Sequence, residues 1–282
     1  MLAAPPARAG ETGCWFEHGA VVVPAAFGDI AGDFIFDLSA PRSQLHVTTA
    51  QAHGIEDATS RAELAVAGER IGNFPIEVAD LDARSWPFVT NIAGVLGADL
   101  ARRFVIEIQF SPCRLVLGDR HPPARPRGRR LEIRWTAGVP TVRASICDNR
   151  QCETGLFAID TASPGVRLSG AALSRSLGAP EATSRSTPPA RLRALSLAGL
   201  FFEQTPAGLI DQASPGMAGT IGDAVWSNFR LTLDARHGWL ELRQPTPALD
   251  RSGLVPDVAP DGAVAAVKET GEDHEEDHHR QP

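Results

Sequence analysis

The sequence predicts an all-β fold of two similar lobes with a few short helices, and three observations carry that expectation. Short runs rich in β-branched residues, Leu and Phe recur between Gly, Pro, Asn and Asp turn signals along most of the chain. Stretches with helical apolar spacing are few and brief. The two halves also match one another in order and spacing.

The strand-like runs of the first half fall at residues 20–23, 33–36, 63–66, 75–78, 104–110 and 114–117. A second series follows at 131–135, 141–147, 155–159, 194–197, 229–233 and 239–242. The best helical stretches are 50–53, 98–103, 171–177 and 224–228, all short. Between the two series, residues 118–130 are rich in Pro, Gly and Arg, cannot continue a central strand, and read as a linker rather than a processing or docking site. These breaks give a first lobe at 11–117 and a second at 131–243. Residues 1–10 end in the small-x-small pattern Ala7-Arg8-Ala9, which fits either the remnant of an export signal or an Ala/Pro-rich disordered start. Residues 244–282 lose apolar periodicity and read as a solvated acidic tail. His274, His278 and His279 belong to that charge run, and no metal site is assigned to them.

Composition bounds the function. With 43% hydrophobic residues in 282, the chain can bury a sizeable core. A net charge of −7 gives no reason to expect nucleic acid, and no apolar run of about 20 residues is present to span a bilayer. Four cysteines allow three pairings. Cys147 and Cys152 bracket the polar turn Asp148-Asn149-Arg150-Gln151, which predicts a hairpin disulfide. Cys14 precedes one strand run and Cys113 sits in the turn between two others, so these two form a plausible second bridge. No Cys-x-x-Cys pair or Cys/His cluster has zinc spacing. Two disulfides point to an oxidising compartment, so the protein is expected to be periplasmic or secreted.

The duplication is the most informative feature. Gly32-Asp33-Phe34-Ile35-Phe36-Asp37-Leu38-Ser39-Ala40-Pro41 parallels Gly155-Leu156-Phe157-Ala158-Ile159-Asp160-Thr161-Ala162-Ser163-Pro164. Val95-Leu96-Gly97 ends 60 residues after Asp37, and Thr220-Ile221-Gly222 ends 62 after Asp160. Phe104 and Phe229 each stand seven residues beyond their glycine, and the closing strands end at Leu117 and Leu242, 20 beyond it. Four ordered matches in register argue for an internal repeat.

Each half resembles one lobe of the retropepsin/pepsin clan of aspartic peptidases, in which two apolar residues precede Asp-Thr/Ser-Gly and a two-hydrophobics-plus-Gly element follows much later. The likeness covers nearly all of residues 15–243 and is nearest to bacterial retropepsin-like proteins, with two lobes in one chain. It implies a bilobal fold with a cleft that takes a peptide or protein substrate. It places the catalytic aspartates at Asp37 and Asp160 and the strand-crossing glycines at Gly97 and Gly222. Ser39, Thr161, Ala162 and Ser163 fall in the supporting active-site loops.

The physical reading agrees. Two carboxylates brought together by pseudo-symmetry cannot both ionise easily, so the pair shares one proton. The ionised member is then a general base for water while the protonated member polarises the substrate carbonyl, with no metal or organic cofactor required. Ser43, Ser163 and Ser169 have no His/Asp arrangement nearby in sequence to suggest a serine nucleophile. Trp86 and Trp226 are expected in the core or the cleft wall.

Departures from the family pattern are concentrated in the first lobe. Leu38 replaces a hydroxyl residue that reaches across to the other lobe, so at least one inter-lobe hydrogen bond is expected to be missing. Ser39 replaces a glycine that lets the backbone approach the dyad. The interval from the aspartate to the next Ala-Gly turn is 31 residues in the first lobe and 39 in the second, and the chain has no tyrosine to serve as a flap residue. Residues 181–193 are the better flap candidate. Two functions follow: an aspartic endopeptidase, or a catalytically impaired relative that binds a protein partner or acts as an assembly subunit.

Overall fold

The computed structural model describes residues 10–118, 128–148, 151–169, 190–210 and 214–245. The expectations for residues 1–9, for 119–127 of the linker, for a helix at 171–177 and for the tail beyond 245 lie outside the described residues.

The first half forms a seven-stranded sheet in the order Trp15–Glu17, Ala20–Phe27, Ile30–Phe36, Ile92–Leu96, Gln44–His46, Glu69–Ala79, Thr59–Val66. Ala20–Phe27 pairs a second time, with Thr59–Val66, which rolls the sheet closed. The second half repeats this order with Arg134–Thr136, Val139–Asp148, Gln151–Ile159, Gly219–Ile221, Val166–Ser169, Leu200–Ile210 and Ala190–Leu197. Pairing of Val139–Asp148 with Ala190–Leu197 closes it in the same way. Ala20–Val23 and Phe34–Phe36 are apolar at successive positions and are buried on both faces of the sheet. Val21, Val23, Phe27, Phe34 and Phe36 point into the main core, while Ala20, Val22 and Ile35 point to the opposite face and build a smaller cluster with Leu81, Ile92 and Val95.

A six-stranded sheet joins the halves, three strands from each: Glu11–Gly13, Cys113–Gly118, Val105–Phe110, then Arg230–Asp234, Trp239–Arg243, Arg129–Glu132. At its centre Glu107 lies opposite Thr232. These two residues occupy the same place in the repeat, each three beyond the duplicated phenylalanine, so a pseudo-twofold axis passes between them. Arg129 and Arg130 are therefore strand residues of this sheet. One apolar cluster runs continuously from Val21 to Leu242 through both halves and the joining sheet.

Both disulfides form as the spacing suggested. Cys14–Cys113 ties the start of the first half to its last hairpin, and Cys147–Cys152 staples the Val139–Asp148 and Gln151–Ile159 hairpin.

Helices among the described residues are Val47–Ala52, Asp82–Ser85 and Asp223–Trp226. None is long and apolar enough to cross a membrane. The helix expected at 98–103 is instead a chain of turns, with Leu100, Ala101 and Arg103 N–H groups donating to the carbonyls three residues earlier. There the Asp99 side chain competes with the backbone by accepting from the Leu100 N–H and from Ser43. Trp226 lies in the core, but Trp86 is 80% exposed, contrary to expectation. In its segment Leu81 and Phe88 take the inward positions and Trp86 is left outside.

Candidate active site

Asp37 and Asp160 each stand at the end of a strand that runs parallel to the strand carrying the duplicated glycine. Phe36 pairs with Leu96 and Ile159 with Ile221. The next N–H in each case, that of the aspartate, donates to the residue before the glycine: Asp37 to Leu96 and Asp160 to Ile221, both at 2.9 Å. The glycines are needed because the loop after each aspartate crosses directly over them. A Cβ on Gly97 would lie 2.6 Å from the Arg42 carbonyl carbon, and one on Gly222 would lie 2.3 Å from the Ser163 and Gly165 oxygens. Both aspartates are buried and both line one cleft of about 740 Å³.

The loops around them are locked by Thr161. Its hydroxyl donates to the Phe36 carbonyl at 2.6 Å and accepts the Leu38 N–H at 3.2 Å, while its carbonyl accepts the Val21 N–H at 3.0 Å. The reciprocal bonds are missing for two reasons. Leu38 has no hydroxyl, as the sequence indicated. In addition, Val21 lies opposite Phe36, and the corresponding place opposite Ile159, one step past the Thr141–Ala158 pair, is Pro140, which has no N–H. Ser39 is not the obstacle that its replacement of glycine suggested. Its N–H and its hydroxyl both donate to Asp37 Oδ1 at 2.7 Å, and the Ala162 N–H does the matching service for Asp160 Oδ1 at 3.0 Å.

The outer oxygens differ. Thr220 Oγ1 donates to Asp160 Oδ2 at 3.0 Å. The equivalent residue in the first half is the buried, apolar Val95, and the donor to Asp37 Oδ2 is instead Arg84, at 2.5 Å. Arg84 belongs to the single-turn helix Asp82–Ser85. That turn is held by Leu81 and Phe88, which pack on Val22, Ile35 and Val95, and by the buried His46, whose Nε2 meets Asp82 Oδ1 at 3.1 Å. In the interval from Asp37 to Gly68, the chain forms the Gln44–His46 strand, the Val47–Ala52 helix and the Thr59–Val66 strand. The flap candidate 181–193 falls mostly outside the described residues; Arg191, Leu192 and Arg193 are part of the Ala190–Leu197 strand.

A third carboxyl lies nearby. Asp223 follows Gly222 directly, is buried, and has no hydrogen-bond partner on either oxygen among the described residues. Burial, then the charges of Asp160 and Asp37, push its pKa up to about 9. Burial also raises Asp160, and the charge of Asp37 adds to that rise; hydrogen bonds from Ser163 and Ala162 and the charge of Arg167 oppose it. Thr220 and Asp223 were detectable in the sequence by comparing the repeats around the glycine, since the first half has Val95 and Ala98 in their places. Arg84 carried no such signal.

Taken together, the two closed lobes, the shared six-stranded sheet and the paired aspartate loops define the bilobal fold of the pepsin-like aspartic proteinases. Among solved structures the chain is similar to the aspartic proteinase from Irpex lacteus, with a TM-score of 0.53 over 84% of this chain and 97% of that one, at 12% identity. No family model matches the sequence, and no curated protein matches it.

Proposed function

We propose that the protein is an exported aspartic endopeptidase that hydrolyses peptide bonds in the cleft between lobes 11–117 and 131–243. The observation that carries this reading is the pair of buried aspartates at equivalent strand ends in one cleft, with Asp160 raised by burial and by the Asp37 charge. Asp160 holds the shared proton and donates it to the scissile carbonyl oxygen, while Asp37 takes a proton from water as the water oxygen bonds to the carbonyl carbon. Asp37 then passes that proton to the leaving nitrogen as the C–N bond breaks, and the collapsing diol returns a proton to Asp160. Neither step calls on a cofactor. Two disulfides fit an oxidising compartment, periplasmic or extracellular.

A second reading, a binding protein or assembly subunit with a disabled site, is favoured by one observation: Arg84 occupies Asp37 Oδ2. Cleavage of a peptide library between about pH 3 and pH 7, with Asp37→Asn, Asp160→Asn and a statine-type transition-state mimic, separates the two. The peptidase reading expects turnover that both substitutions abolish and the mimic blocks. Full activity in either variant would remove the dyad mechanism, and a folded wild type without turnover on any peptide would favour the binding role.

A further inference from the structure

Resting on the peptidase reading, we propose that Arg84 is a specificity residue and that the cleft selects peptides bearing a carboxylate close to the scissile bond. The Arg84 guanidinium spends one Nη2 contact on Asp37 and makes no other hydrogen bond or ion pair among the described residues, although it offers five donors. Its side chain remains about a third exposed, at the cleft wall. On the other lobe Arg167 also lines the cleft and is exposed; its side chain makes no ion pair or hydrogen bond among the described residues, although its charge acts on Asp160. Arg42, another arginine lining the cleft, is already matched with Glu77 at 3.2 Å. The cleft thus presents one under-used guanidinium on Asp37 and a second on the lobe that carries Asp160.

The arrangement penalises a neutral substrate. To put water against Asp37 Oδ2, the guanidinium must leave its carboxylate, and a neutral peptide gives it only carbonyl oxygens in exchange within a partly desolvated cleft. A substrate carboxylate offers an equivalent partner, with fork geometry that matches guanidinium, so transfer of Arg84 from Asp37 to substrate exchanges one ion pair for another. The helix holding Arg84 need not move, because Leu81, Phe88 and the His46–Asp82 contact anchor it and only the side chain swings. Arg167 supplies a second cation for a carboxylate on the Asp160 side.

The test is a Glu-against-Gln scan through one cleavable peptide, each with a free or an amidated C-terminus, on the wild type, Arg84→Gln, Arg84→Lys and Arg167→Gln. Because a hydrogen bond to a charged partner contributes about 1.5–3 kcal/mol, the wild type should prefer Glu at one position by about tenfold or more in kcat/KM. Arg84→Gln should lose that preference and cleave the Gln peptide faster than the wild type does; Arg84→Lys should fall between. A preference that follows the free C-terminus instead identifies the terminal carboxylate as the group recognised. Equal cleavage of Glu and Gln peptides at every position, with no effect of amidation, overturns the proposal and leaves the peptidase reading intact, as does a preference that survives in Arg84→Gln. If no peptide is cleaved, titration with statine-type Glu and Gln analogues decides. Tighter binding of the Glu analogue that disappears in Arg84→Gln keeps the carboxylate site while the peptidase reading falls, and equal or absent binding overturns the site.

Discussion

Asp223 makes stability depend on pH in a direction that can be worked out from its surroundings. It is 1% exposed, has no hydrogen-bond partner among the described residues, and its pKa is pushed from 3.8 to about 9. Below the unfolded value both states hold the proton and the residue makes no difference. Above it the unfolded chain releases the proton and the native protein does not, so stability falls as pH rises, until the native group ionises near 9. One pKa unit corresponds to about 1.36 kcal/mol, so by about pH 7.5 the cost reaches an upper value of about 5 kcal/mol. Asp223→Asn keeps the shape and removes the proton. Urea unfolding of both proteins at about pH 4 and about pH 7.5 should show the variant gaining at least about 2 kcal/mol on the wild type between the two conditions. Comparing slopes cancels any pH-independent cost of burying an amide, and it cancels the contributions of Asp33 and Asp99, which burial also raises. Parallel pH profiles for the two proteins would refute the reasoning, since Asp223 would then titrate in the native state as it does in the unfolded chain.

Three further outcomes follow from the geometry. Thr161→Val leaves the Leu38 N–H and the Phe36 carbonyl without their buried partner, so stability should drop by about 2–4 kcal/mol, read as a lower urea midpoint, with loss of any turnover. Leu38→Thr, by contrast, removes a buried side chain of the main core, about 1–3 kcal/mol, for a hydrogen bond worth about 1. It should therefore lower the melting temperature slightly and, with Arg84 still on Asp37, should not raise activity. Removing Cys14–Cys113, whose residues are 99 apart, should cost about 4.7 kcal/mol, against about 2 for Cys147–Cys152, which are five apart. Equal losses in the two double-serine variants, measured by chemical denaturation, would contradict that ordering.

What the sequence made legible was what repeats or what is local. The duplicated apolar-Asp and apolar-Gly elements located both aspartate loops and both crossing glycines, because each is a short pattern with a steric reason at every position. Cys147 and Cys152 were readable because a hairpin brings its own ends together. Several strands were not: Leu200–Ile210 contains Pro206 and Gly208, which disguise it, and Glu11–Gly13 and Gly219–Ile221 are too short to show alternation. Arg84 was invisible for a different reason. It lies 47 residues from Asp37 on a four-residue helix, and it reaches the carboxylate because Leu81, Phe88 and His46 anchor that helix. A contact set by tertiary anchoring leaves no spacing to read.

The repeat is kept where it builds the frame and broken where it touches the dyad, and the breaks all act in one sense. Around Asp160 the second lobe supplies hydroxyl donors, Thr220 on the carboxylate and Thr161 across the interface, and a neutral donor tolerates a protonated acid. At the matching places the first lobe has Val95 and Leu38, both buried and apolar, so Asp37 would lack an outer donor without Arg84, which brings a full positive charge. Asp223, matched by the buried Ala98, adds a third carboxyl on the side of Asp160. Two identical lobes would give a dyad no physical reason to hold its proton on one member. Here an uncharged donor and an extra buried carboxyl stand at one aspartate and a guanidinium at the other, an asymmetry that supports the proposed placing of the proton on Asp160. On the proposed peptidase reading, the acid and base roles of Asp160 and Asp37 would thus be set where the two copies of the sequence stopped being alike.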